Sequence, residues 1–115
     1  MQRDTLLLTE MIDAAEQAQQ LAAGLTVNQL EGDRQRRDAL LWNFTVLGEA
    51  AGKLSAEVKA KFPDVPWQQP IRLWNRIVHG YWSIDLDVLQ TTADQQLAAF
   101  IADLRNVLSS LGQDT

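Results

Sequence analysis

The single histidine and single tyrosine of this sequence stand two residues apart, in His79-Gly80-Tyr81, with Arg72, Asn75 and Arg76 just before them. On a helix turning about 100° per residue, positions 72, 75, 76 and 79 fall within roughly a 100° arc. One face would then carry two guanidiniums, an amide and an imidazole, while Ile71, Trp74 and Val78 lie opposite and are expected to be buried. Arginine matches phosphate oxygens in pairs, and histidine moves a proton near neutral pH. Phosphodiester chemistry fits that set. RNA is the simplest substrate, because its own 2′-hydroxyl attacks the neighbouring phosphate. The protein then supplies only proton transfer and stabilisation of the charged transition state. One histidine falls short of an acid and a base, so two chains meeting across a symmetry axis would complete the set. The plainer alternative is that Arg76 and His79 only decorate a helix C-terminus, which favours cations in any protein.

Charge sets a constraint on this reading. The net charge is −5, whereas phosphate binding normally draws on a basic face. Contact with RNA must therefore be local, or be assembled by pairing two chains. The 115 residues suit one domain, and 46% hydrophobic residues suit a folded one. The sequence contains no cysteine, which excludes disulfides and thiolate metal sites. No apolar run reaches the ~20 residues of a membrane span, and Met1-Gln2-Arg3-Asp4 does not open a signal peptide. The expected location is the cytoplasm.

Helical periodicity supplies the elements that must position the motif. Leu8, Met11, Ile12, Ala15, Ala18, Ala22 and Leu25 recur in steps of three and four, with Gly24 at the end where a left-handed cap forms most easily. A short turn capped by Thr26 comes next. A second helix capped by Asp33 then runs to about Lys53 on Leu40, Asn43, Leu47, Ala50, Ala51 and Leu54. Its first turn holds Arg34, Arg36 and Arg37, which oppose the helix dipole. They read as a solvated basic turn or as a surface for a partner. Ser55 can cap a short extension to Lys61, and Pro63 and Pro66 break the chain. The motif helix runs from about Trp67 to Val78, with Gly80 ending it. A last helix, capped at Asp85 or Ser83, reaches about Leu111 through Leu97, Phe100, Ile101, Leu104, Val107 and Leu108. Four main helices with short connections predict an all-α antiparallel four-helix bundle.

The ordered blocks Gly48-Glu49-Ala50-Ala51-Gly52-Lys53-Leu54, Val65-Pro66-Trp67 and Asn75-Arg76-Ile77-Val78-His79-Gly80-Tyr81 resemble the HepT-like branch of the HEPN family. That branch consists of small helical proteins with an Arg-x(4–6)-His signature, and the resemblance covers nearly the whole chain. It implies a HEPN-type bundle, a homodimer and a metal-independent endoribonuclease toxin needing no cofactor. It also implies a minimal nucleotidyltransferase antitoxin that transfers AMP to the motif tyrosine. His79 then resembles the catalytic histidine, Asn75 its polar neighbour, Arg72 and Arg76 the phosphate-binding arginines, and Tyr81 the AMP acceptor. Glu49 recurs with the motif and is expected to orient the arginines or His79, or else to be a half-exposed helix glutamate. The family usually places arginine immediately before the asparagine, where this sequence has Trp74; Arg72 preserves the signature with six residues before His79.

That departure keeps a second reading open, a catalytically weakened or inactive helical binding partner of a nucleotidyltransferase. A third, a purely structural bundle, leaves the clustering of the only His and Tyr unexplained. Trp42, Trp67, Trp74 and Trp82 are expected mainly in the core, with Trp82 the exception beside the motif. No metal site is expected, since His79 lacks a companion and Asp85 and Asp87 lack a ligand set.

Overall fold

A computed structural model describes residues 2–80 and 85–113. Among them every regular element is helical: α1 (Gln2–Ala22), α2 (Val27–Glu31), α3 (Arg34–Lys53), α4 (Ala56–Lys61), α5 (Gln68–Gly80), α6 (Leu86–Thr91) and α7 (Leu97–Gln113). A π-helical turn, Thr92–Gln96, joins α6 to α7 without a break. Helix α3 packs on α1 and α5, and α7 packs on α1. A continuous core runs through them, with Leu8, Met11, Leu40, Phe44, Leu47 and Leu104 almost fully enclosed.

The helix boundaries follow from local chemistry. Gly24 takes φ +72°, the left-handed conformation glycine adopts without a Cβ clash, and the chain leaves α1 there. Thr26 and Gln29 form a reciprocal capping box on α2. Asp33, Ser55 and Asp85 cap α3, α4 and α6 through their side chains. The Trp67 indole N–H donates to the Phe62 carbonyl at 2.9 Å and fixes the proline-rich turn that enters α5.

The arginines at the start of α3 have structural work. Arg36 donates to the Leu21 carbonyl at 3.1 Å and Arg37 to the Glu31 carbonyl at 3.4 Å. Both acceptors lie in the last turns of α1 and α2, where carbonyls lack helical partners and the dipole attracts cations. Arg34, Arg36 and Arg37 also meet Asp38 or Asp33 at 3.5–3.9 Å. The unfavourable position on α3's own dipole is thus offset by caps on two preceding helices.

Two other long-range ties went unread in the sequence. Asp4, 6% exposed, accepts from the Ser55 backbone N–H and hydroxyl, both at 2.9 Å. Its carboxylate fastens the start of α1 to the cap of α4. The Gln90 amide donates to the Leu25 carbonyl and ties α6 to the α1–α2 connection.

Candidate functional site

Helix α5 is held against α3 at an unusually close crossing. A Cβ on Gly48 would lie 2.2 Å from the Trp74 Cβ and 2.6 Å from the Pro70 carbonyl oxygen. Only glycine lets the two backbones approach so closely. The expected inward stripe of α5 is corrected here. Pro70, Leu73 and Ile77 are buried, Ile71 and Trp74 are half-buried, and Val78 is 53% exposed. The packed stripe is rotated by about a third of a turn from the Ile71–Val78 stripe, because Pro70 and Trp74 must straddle Gly48. Trp67 is core as expected, whereas Trp42 is 66% exposed on α3. Trp82 lies outside the described residues.

The polar face of α5 stands where the spacing put it. Arg72, Asn75, Arg76 and His79 are all exposed on that one helix. Among the described residues, none of these four side chains has a hydrogen bond or ion pair. By contrast, Arg34, Arg36, Arg37 and Arg105 each meet a carboxylate. A guanidinium left without an anion is available to a phosphate. His79 occupies the last turn of α5, where a positive charge is favoured. Tyr81 lies outside the described residues. Glu49 is held by Lys53, one turn along α3, at 3.1 Å, and this is its partner rather than the arginines or His79.

Arg72 and Arg76 form part of one wall of a groove of about 570 Å³. The π-helical turn and the start of α7 supply the other wall, with Gln95, Gln96 and Asp103. Phe44, Leu47 and Phe100 make an apolar floor. His79 and Asn75 are exposed on the same helix but do not line the groove. The opposite wall carries no sequence motif, and only the fold brings it to the arginines. The π turn is the structural mark of the place. Such an extra residue in a helix often accompanies a functional site, and here the Thr92 hydroxyl donates to the Val88 carbonyl at 2.7 Å. Among the described residues no three His, Asp or Glu side chains gather in a group that could hold a metal ion. No helix is long and apolar enough to cross a membrane.

Comparison with known proteins places the chain in a family. The family model described as "Ribonuclease HepT-like" matches residues 11–109. "Putative RNase MJ1380" of Methanocaldococcus jannaschii is 26% identical over 82 residues, covering 71% of this chain and 75% of that protein. "Probable ribonuclease HepT" of Thermococcus cleftensis is 21% identical over 90 residues, covering 78% and 82% respectively. No solved structure matches the chain. The matched span takes in α3, α5 and most of α7, and so includes the Arg72–His79 face and both walls of the groove: the chain belongs to the HepT-like ribonuclease family.

Proposed function

We propose that this chain is a metal-independent endoribonuclease, the toxin of a toxin–antitoxin pair, and that it acts as a homodimer. The observation that carries the reading is the exposed, unpaired set Arg72, Arg76 and His79 on α5 of a HepT-like family member. In the reaction, the RNA 2′-oxygen attacks the adjacent phosphorus and its proton passes to one imidazole. The bond from phosphorus to the 5′-oxygen breaks, and that oxygen takes a proton from a second imidazole, the His79 of the other copy. Arg72 and Arg76 stabilise the charge on the phosphate oxygens, and Asn75 orients the reacting group. Pairing two chains also doubles the positive charge at one seam of an acidic molecule.

Control falls to a minimal nucleotidyltransferase that transfers AMP to Tyr81. The added phosphodiester carries about one negative charge, which competes with RNA phosphate for the arginines. The test is incubation of purified protein with RNA in EDTA, followed by analysis of the product ends. Products with 2′,3′-cyclic phosphate and 5′-hydroxyl ends are expected. Absence of cleavage, or products with 3′-hydroxyl ends, contradicts the mechanism.

One observation favours a second reading, a weakened family member that serves as a binding partner of the nucleotidyltransferase. Trp74 occupies the place where the resemblance leads one to expect arginine, and it is half-buried at the Gly48 crossing. Trp74→Arg separates the two. A rise in RNA cleavage with the fold retained marks a weakened enzyme, and a joint loss of activity and stability marks a tryptophan needed for packing.

A further inference from the structure

The groove beside the arginines has a composition that phosphate binding alone does not explain. Its α5 wall carries Gln69 with Arg72 and Arg76, and its other wall carries Gln95, Gln96 and the half-buried Asp103. None of these six side chains has a hydrogen bond or ion pair among the described residues. Asp103 and the guanidiniums line the same cavity yet form no ion pair with one another. A site for an anion alone would have no use for the carboxylate or the apolar floor of Phe44, Leu47 and Phe100.

We propose that this groove is a nucleobase subsite selecting adenine or cytosine through the N6 or N4 amino group, next to the phosphate held by Arg72 and Arg76. The inference rests on the ribonuclease reading for its substrate class, RNA. Its volume, about 570 Å³, lies within the ~300–1,000 Å³ of small-molecule sites. The floor shields the faces of a planar ring from water. An ionised carboxylate only accepts hydrogen bonds, so Asp103 needs a donor opposite it. On the base edge that carries the adenine N6 and cytosine N4 amino groups these are donors, whereas guanine O6 and uracil O4 put a carbonyl oxygen in the corresponding place, which Asp103 repels. A glutamine amide both donates and accepts, and pairs with adenine through its amino group and N7. Asp103 also turns the phosphate toward the α5 wall, which sets the direction in which the strand lies.

Two measurements decide it. The His79→Ala protein is titrated with AMP, CMP, GMP and UMP and followed by NMR. The amide signals of Gln95, Gln96 and Asp103 should move with AMP and CMP, and GMP and UMP should bind at least about tenfold more weakly. Asp103→Asn, nearly identical in shape, should remove that difference. Equal binding of all four nucleotides, or signal changes confined to other surfaces, overturns the proposal. The second measurement maps cuts in one RNA of defined sequence. Wild type should cut mainly beside A or C, and Asp103→Asn and Gln95→Leu should flatten the preference more than they slow the total rate. Cleavage with no base preference removes the subsite but leaves the nuclease standing. Selective nucleotide binding without any cleavage removes the nuclease and leaves the subsite.

Discussion

Arg76 shares the groove wall with Arg72 but stands one turn closer to His79, the group assigned to proton transfer. A guanidinium there acts on charge that develops in the transition state, so its loss should appear in kcat more than in substrate binding. Arg76→Ala is predicted to slow RNA cleavage by on the order of 10²-fold or more, the range for loss of one such donor. The check is a single-turnover rate with its circular dichroism spectrum unchanged. Tyr81 is tested differently. Intact-mass measurement after co-expression with a nucleotidyltransferase should show one or more added AMP units on the wild type and none on Tyr81→Phe. An unmodified wild-type chain beside an active, ATP-supplied transferase would leave simple complex formation as the mode of control. The four polar residues on α5 were legible in the sequence because helical spacing alone aligns them. Gln95, Gln96 and Asp103 were not, since only tertiary packing brings their helix to the groove. Glu49 takes the second of the two roles its position allowed, an exposed helix glutamate, and pairs with Lys53 four residues on.

At the scale of elements, caps and stripes were readable because they are local. Thr26, Asp33, Ser55 and Asp85 all cap the helices their positions suggest, and the α1 and α7 stripes are largely buried as their spacing predicts. What escaped was contact at a distance. Asp4 and Ser55 are 51 residues apart, and no pattern in either segment announces their bond. The inward face of α5 was misplaced because the apolar stripe 70, 73, 77 lies beside 71, 74, 78 on the helix, and the choice between them is made by Gly48 on another helix. That crossing yields a prediction. Gly48→Ala forces a methyl to within 2.2 Å of the Trp74 Cβ and 2.6 Å of a backbone oxygen. Since α5 must shift, we expect a loss of stability of about 1–3 kcal/mol, the range for overpacked cores. Denaturant unfolding measures it. The companion Gly52→Ala, where nothing lies within 4 Å of an added Cβ, should be neutral or mildly stabilising. Equal effects at both positions would mean that the close crossing does not constrain α5.

For the molecule as a whole, the open question is how an acidic chain with a net charge of −5 gathers RNA phosphates. Two copies joined along the Arg72–His79 face would supply two histidines and four arginines to one cleft. Light scattering at concentrations on the order of tens of micromolar should give the mass of a dimer. A monomer under those conditions would leave the single histidine without a counterpart. Every step proposed for the chemistry passes through His79. The decisive measurement is the rate at which wild type and His79→Ala cut the same RNA in EDTA, each prepared identically and checked for equal mass and helical content. Because His79 is exposed and unpaired on α5, its removal should leave the fold of the chain intact. We predict that cleavage falls to the background of a mock preparation. Equal rates for the two proteins would contradict the account, placing the activity elsewhere on the chain or in a contaminant.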